Sequence, residues 1–130
     1  MQLTNILNLP AKYRLRYKKV KEVLLSNFKI EVKDDYRIFT AETGQGAYQT
    51  MIAFNKDEKI RPNSEIKVYC ECKSFEFEFA DTIDRDNSLL VQRERPAKVS
   101  NKIGILTGCK HLIFLGQFIF QRRTIFDKEA

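Results

Sequence analysis

The chain has only one histidine and three cysteines, its entire stock of imidazole and thiol groups. That scarcity excludes several chemistries. An odd number of cysteines fits poorly with a disulfide framework and better with thiols kept reduced in a cytosol. No apolar run approaches the roughly 18 residues of a membrane span. Met1 to Leu9 has no basic n-region and no small-residue cleavage pattern, so no secretory signal is read there. The chain also lacks a Gly-rich phosphate loop, an aromatic–basic RNA motif, an internal repeat and any low-complexity tract. With 130 residues it is expected to form one small domain, 1–130, whose core a metal staple would supplement.

The scarce residues fall into two clusters, Cys70-Glu71-Cys72 and Cys109-Lys110-His111. Thiolate and imidazole are what Zn²⁺ prefers, and four donors complete its tetrahedron. A structural zinc site on Cys70, Cys72, Cys109 and His111 is therefore expected. Such a site uses up the only histidine and every thiol, leaving no Cys–His or Ser–His pair for nucleophilic catalysis and no coordination position for a water. The alternatives are inert burial of the four side chains, common for free cysteine, or a redox role for the thiols.

Charge is unevenly distributed. Residues 1–29 carry seven bases against the single acid Glu22, which is +6, while the remainder carries sixteen of each sign. The whole formal charge thus sits on the N-terminal segment, where it suits phosphate, an acidic protein surface or plain solvation. Pro10 fits the first turn of a helix, and Tyr13, Tyr17, Val20 and Leu24 recur at helical spacing. A basic amphipathic helix is expected within 1–27, ending near Ser26-Asn27, with Lys12, Arg14, Arg16, Lys18, Lys19 and Lys21 as its candidate phosphate contacts.

The apolar period then changes to two. Phe28, Ile30 and Val32, then Tyr36 to Thr40, then Tyr48, Thr50, Ile52 and Phe54 read as an antiparallel β-meander over 28–63. Ile66, Val68, Cys70 and Cys72 share one face of a further strand. Phe75, Phe77 and Phe79 resume alternation one residue out of phase, which implies a bulge or zinc knuckle at Lys73-Ser74. Asp81 to Gly108 reads as an insertion with a short strand at Leu89-Leu90-Val91. The apolar run from His111 to Arg123 reads as a C-terminal helix, either in the core or partly covered by another chain, its two final arginines suiting the negative helix pole. Cys109 and His111 cannot reach one ion from within a helix, because positions i and i+2 point to nearly opposite sides. Cys109 must precede the first turn. The expected class is α+β: N-terminal helix, antiparallel meander, then a zinc unit over 64–123 with insertion 81–108.

The order Cys70-x-Cys72, thirty-six residues, Cys109-x-His111 resembles the SWIM zinc-binding module, with Phe75 and the Leu112-Ile113-x-Leu115 helix fitting its pattern. The resemblance covers about residues 64–121 and implies a SWIM-like fold, those four ligands, and binding to DNA or protein without catalysis. The ending Leu106-Thr107-Gly108-Cys109-Lys110-His111-Leu112 is also similar to small proteins of tailed bacteriophages, which implies a virion component at a head–tail junction or baseplate.

The leading expectation is a non-catalytic, zinc-stabilised structural or adaptor subunit docking onto other protein subunits, in a virion if phage-encoded and otherwise cytoplasmic. The alternative is a nucleic-acid-binding module. Neither a membrane partner nor a small-molecule substrate is expected. An enzymatic reading, with Glu71 as general base, is disfavoured because Glu71 alternates away from both neighbouring cysteines.

Overall fold

The computed structural model describes residues 1–8, 25–43, 48–91 and 106–128, without the Phe77 side chain. Four strands, β1 (Leu25–Lys33), β2 (Tyr36–Thr43), β3 (Tyr48–Asn55) and β4 (Ile66–Cys70), form an antiparallel sheet in the order β1-β2-β3-β4. The expected meander is therefore present, and the strand of the cysteine motif is its fourth member. Alternation places Phe39, Ala41, Ile52, Phe54, Ile66, Val68 and Cys70 on one buried face. Asp34 takes a left-handed φ of 56° in the turn between β1 and β2, a conformation Asp tolerates.

The expected helix does not extend to Ser26-Asn27. Leu25 and Ser26 instead pair with Thr43 and Glu42. Asn27 has a φ of 49°, and Asn27 and Phe28 together face the single residue Ala41, a bulge that bends the strand. The Asn27 side-chain amide donates to Glu42 at 2.9 Å and braces the distortion. Ladder bonds plus this tolerated left-handed residue outweigh helical periodicity at 25–27. The rest of that expected helix, with Lys12, Arg14, Arg16, Lys18, Lys19 and Lys21, lies outside the described residues.

A short helix, α1 (Thr4–Leu7), buries Ile6, with Leu3 buried just before it. The N-terminal segment closes the outer edge of β4: Ile66 N–H donates to Met1 O at 2.8 Å and Leu3 N–H to Ser64 O at 2.9 Å. Further along that edge, Val68 N–H donates to Ser88 O and Leu90 N–H to Val68 O, at 2.8 and 2.9 Å. The short strand expected at Leu89-Leu90-Val91 is thus a single parallel bridge, Val68 to Leu89. Arg93 to Pro96 lies outside the described residues.

The strand expected for Phe75, Phe77 and Phe79 is a helix. A π-helical turn (Phe75–Phe79) runs into α2 (Ala80–Arg85). Phe75, Phe79 and Ile83 are all buried, a spacing of four that sets them on one helical face. Alternation over five residues satisfies that spacing as well as a strand does, so the phase slip after Cys72 marks where strand gives way to helix.

The C-terminal helix appears as α3 (Lys110–Gln121), followed by α4 (Arg123–Lys128). α3 packs on β3, β4 and α1. Its Gly116 lets α1 approach closely, since a Cβ there would meet Ile6 Cγ2 at 3.0 Å. Arg122 and Arg123 donate to Phe118 O (3.3 Å) and Phe120 O (2.8 Å), satisfying carbonyls the helix end leaves free. Phe126 of α4 packs edge-on against Phe39 and at a tilt against Phe28, centroids 5.2 and 5.6 Å away. None of the described helices is long and apolar enough to cross a membrane.

Candidate metal centre

Each ligand is placed by a different local device. Cys70 ends β4 and, like Ile66 and Val68, faces the core. Cys72 lies beyond the strand, where the chain turns helical, and its Sγ accepts the Phe75 backbone N–H at 3.4 Å. Cys109 is the extended N-cap of α3, with φ −70° and ψ 170°, while its carbonyl accepts Ile113 N–H at 3.0 Å. His111 then falls in the first turn, as the i, i+2 argument requires. The approach to this helix start is itself anchored: Thr107 is buried, and its hydroxyl donates to Asn5 O at 2.9 Å. A Cβ on Gly108 would stand 3.0 Å from Leu112, so this close approach needs glycine.

The strand end, the helical turn and the helix start bring the four ligand atoms within 4.8 Å of one another, all on buried residues. His111 Nδ1 lies 3.8 Å from Cys70 Sγ and 4.0 Å from Cys109 Sγ. A tetrahedral ion bonded at about 2.3 Å to sulfur and about 2.0 Å to nitrogen separates its donors by about 3.5–3.8 Å. A small inward movement of the side chains meets that requirement. The cluster can hold a metal ion, and the donor set of three sulfurs and one nitrogen is complete at four.

The thiols behave as one titrating unit. Burial first, then hydrogen bonding with Cys70 and Cys72, pushes Cys109 well above the usual thiol range. Cys72 is driven strongly down, because the Cys109 and Cys70 thiols donate to it and hold it as thiolate. Cys70 is lowered by Cys109, but its bond to Cys72 and burial outweigh that and push it up to about 12. A single anionic sulfur supported by protonated neighbours is how three thiols share a small buried volume.

The surrounding residues come mainly from β3. Thr50, opposite Cys70 in the ladder, sets its hydroxyl 3.5 Å from Cys70 Sγ and 2.8 Å from Thr43 Oγ. The Tyr48 ring centroid is 5.1 Å from that of His111. Neither was singled out from sequence as part of the site, although alternation through Thr50, Ile52 and Phe54 places Thr50 on the buried face. Glu71 is exposed and turned away, its carboxylate accepting Gln49 N–H at 2.7 Å. Asp81 is bound to Arg85 at 2.8 Å. The six basic residues proposed for phosphate contact lie outside the described residues.

Comparison with models of protein families, with curated proteins and with solved structures found no match to this chain.

Proposed function

We propose that this protein is a zinc-stabilised, non-catalytic structural or adaptor subunit. The observation that carries the reading is the convergence of Cys70, Cys72, Cys109 and His111, four buried donors drawn from a strand end, a helical turn and a helix start. Soft sulfur with one imidazole suits Zn²⁺, and a full donor set leaves no place for a reacting water. Zinc here would tie β4 to α3 and hold rigid the surfaces around them. In finger peptides such sites contribute about 10–16 kcal/mol of apparent binding free energy.

The position of CxC at a strand end and of CxH at the mouth of an apolar helix supports a SWIM-type assignment for the unit. Placement in a tailed-phage particle rests on the similarity of Leu106 to Leu112 and on the small size of the chain. A second reading, nucleic-acid binding, is favoured by one observation: the formal +6 charge is confined to residues 1–29. Phosphate contacts there would give an affinity that falls steeply with salt.

Native mass spectrometry of the purified chain, alongside the Cys109→Ser variant, tests the metal reading. One zinc per wild-type chain, lost in the variant together with helical circular dichroism, is the expected result. A metal-free chain whose spectrum ignores both chelator and substitution would overturn it. Titration with duplex DNA across a salt series decides the second reading, which salt-insensitive or absent binding would remove.

A further inference from the structure

The two edges of the sheet are treated differently. That of β4 is covered by Met1–Leu3 and Ser88–Leu90, whereas none of the described residues pairs with the outer edge of β1. This edge also exposes apolar side chains, with Ile30 at 36% and Val32 at 67% of full exposure, and on the opposite face it carries Lys29 and Glu31, an exposed ion pair at 2.9 Å whose members can exchange partners across a two-fold axis. Free edges are normally blunted by charged side chains that repel a second copy, by proline or by a bulge. In β1 the bulge is confined to Asn27-Phe28, and the charges beyond it alternate in sign.

We propose that β1 pairs with β1 of a second copy of this chain, antiparallel and centred on Ile30, joining two four-stranded sheets into one. Two features of the strand favour this partner and register, and overlap decides against a slip of two: centring on Val32 keeps charge and parity but leaves only 31–33 of each strand paired. The first is charge. Centring on Ile30 sets Lys29 opposite the partner's Glu31 and Glu31 opposite the partner's Lys29, with Phe28 opposite the partner's Val32. A slip of one position to centre on Glu31 or on Lys29 sets identical charges opposite each other, which is destabilising. The second is backbone parity. In an antiparallel ladder closed by a two-residue turn, the pair flanking the turn exchanges both backbone bonds, and so does every second pair. Here that pair is Lys33–Tyr36, so Glu31 and Lys29 bond inward to β2 while Ile30 and Val32 direct their N–H and C=O groups outward. Ile30 thus meets its counterpart in a hydrogen-bonded pair. Lys29 and the partner's Glu31 then fall in the closer, non-bonded pair, where side chains interact best. The interface is isologous, as a two-fold dimer requires.

This inference does not rest on the metal reading, since β1 and Cys70 lie at opposite edges of the sheet. The test uses the zinc-purified full chain in sedimentation equilibrium over a concentration series, with the variants Glu31→Lys, Lys29→Glu and the double exchange. The wild type is expected to dimerise, each single variant to weaken the dimer roughly tenfold, and the double exchange to restore it. Lys29 and Glu31 are more than half exposed, so neither change threatens the fold. Hydrogen exchange in the dimer is expected to protect the Ile30 and Val32 amides relative to the dilute monomer. A chain that stays monomeric throughout, single variants that dimerise like wild type, a double exchange that fails to rescue, or a dimer with unprotected Ile30 and Val32 amides would each overturn the proposal.

Discussion

The guanidinium of Arg37, on the second strand, is buried and meets the partly buried carboxylate of Asp127, ninety residues further along, at 2.9 Å. Arg37 is 3% exposed and also donates to Phe126 O at 3.1 Å, so one side chain pins the last helix to the sheet. Asp127 in turn accepts Ile60 N–H at 3.1 Å. Removing one partner strands a buried charge. Asp127→Asn is expected to cost about 3 kcal/mol in urea unfolding, whereas replacing both residues by apolar ones of similar volume recovers most of it. Equal stability of wild type and Asp127→Asn would show that water reaches the guanidinium.

Metal uptake is expected to release protons. Cys70, pushed up to about 12, and the raised Cys109 both hold their protons at neutral pH, while Cys72 has already lost its own. Ligation requires all three as thiolates, so affinity must weaken as pH falls. Calorimetry in buffers of different ionisation enthalpy should count about two protons per ion on the alkaline side of neutrality. A count of zero, or an affinity indifferent to pH, would contradict the protonation pattern described.

Thr50 supports a ligand without being one. Its hydroxyl bridges Cys70 Sγ, at 3.5 Å, and Thr43 Oγ, at 2.8 Å. Thr50→Val keeps the shape and deletes both contacts, while Thr43 retains the Tyr48 carbonyl at 3.3 Å. Groups in this position typically govern metal affinity by 10–100-fold, so a loss of about tenfold is expected in chelator competition with the fold retained. Unaltered affinity would reduce Thr50 to a packing residue.

Gly116 is expected to accept a methyl group but nothing larger. Alanine gains about 1 kcal/mol of helix propensity but presses on Ile6 Cγ2 at 3.0 Å, so Gly116→Ala should be nearly neutral in thermal melts. Gly116→Leu has nowhere to go between α1 and β3 and should cost about 1–3 kcal/mol. A melting point unchanged by leucine would mean that the helices part easily there.

The sheet and the ligand set were legible because each has a short-range signature. Two-residue alternation marks Phe39, Ile52 and Val68 as inward, and a count of four donors marks the cluster. Helix or strand was ambiguous at Phe75–Phe79, since alternation over five positions also satisfies a four-residue repeat. At Leu25–Asn27 the deciding contacts are cross-strand pairs with Glu42 and Thr43, which no local pattern encodes. Thr50 was hidden for a related reason: its place beside Cys70 depends on the register between β3 and β4, a relation that only the folded ladder supplies.

The closed margin formed by Met1–Leu3 and Ser88–Leu90 along β4 has a consequence for the stoichiometry of any assembly built by extending this sheet. Growth by strand addition needs two open ends, and among the described residues this architecture offers one. Association through it is therefore self-limiting: once a pair has formed, both remaining borders are already stitched to their own chains, and a fibre has no template from which to propagate.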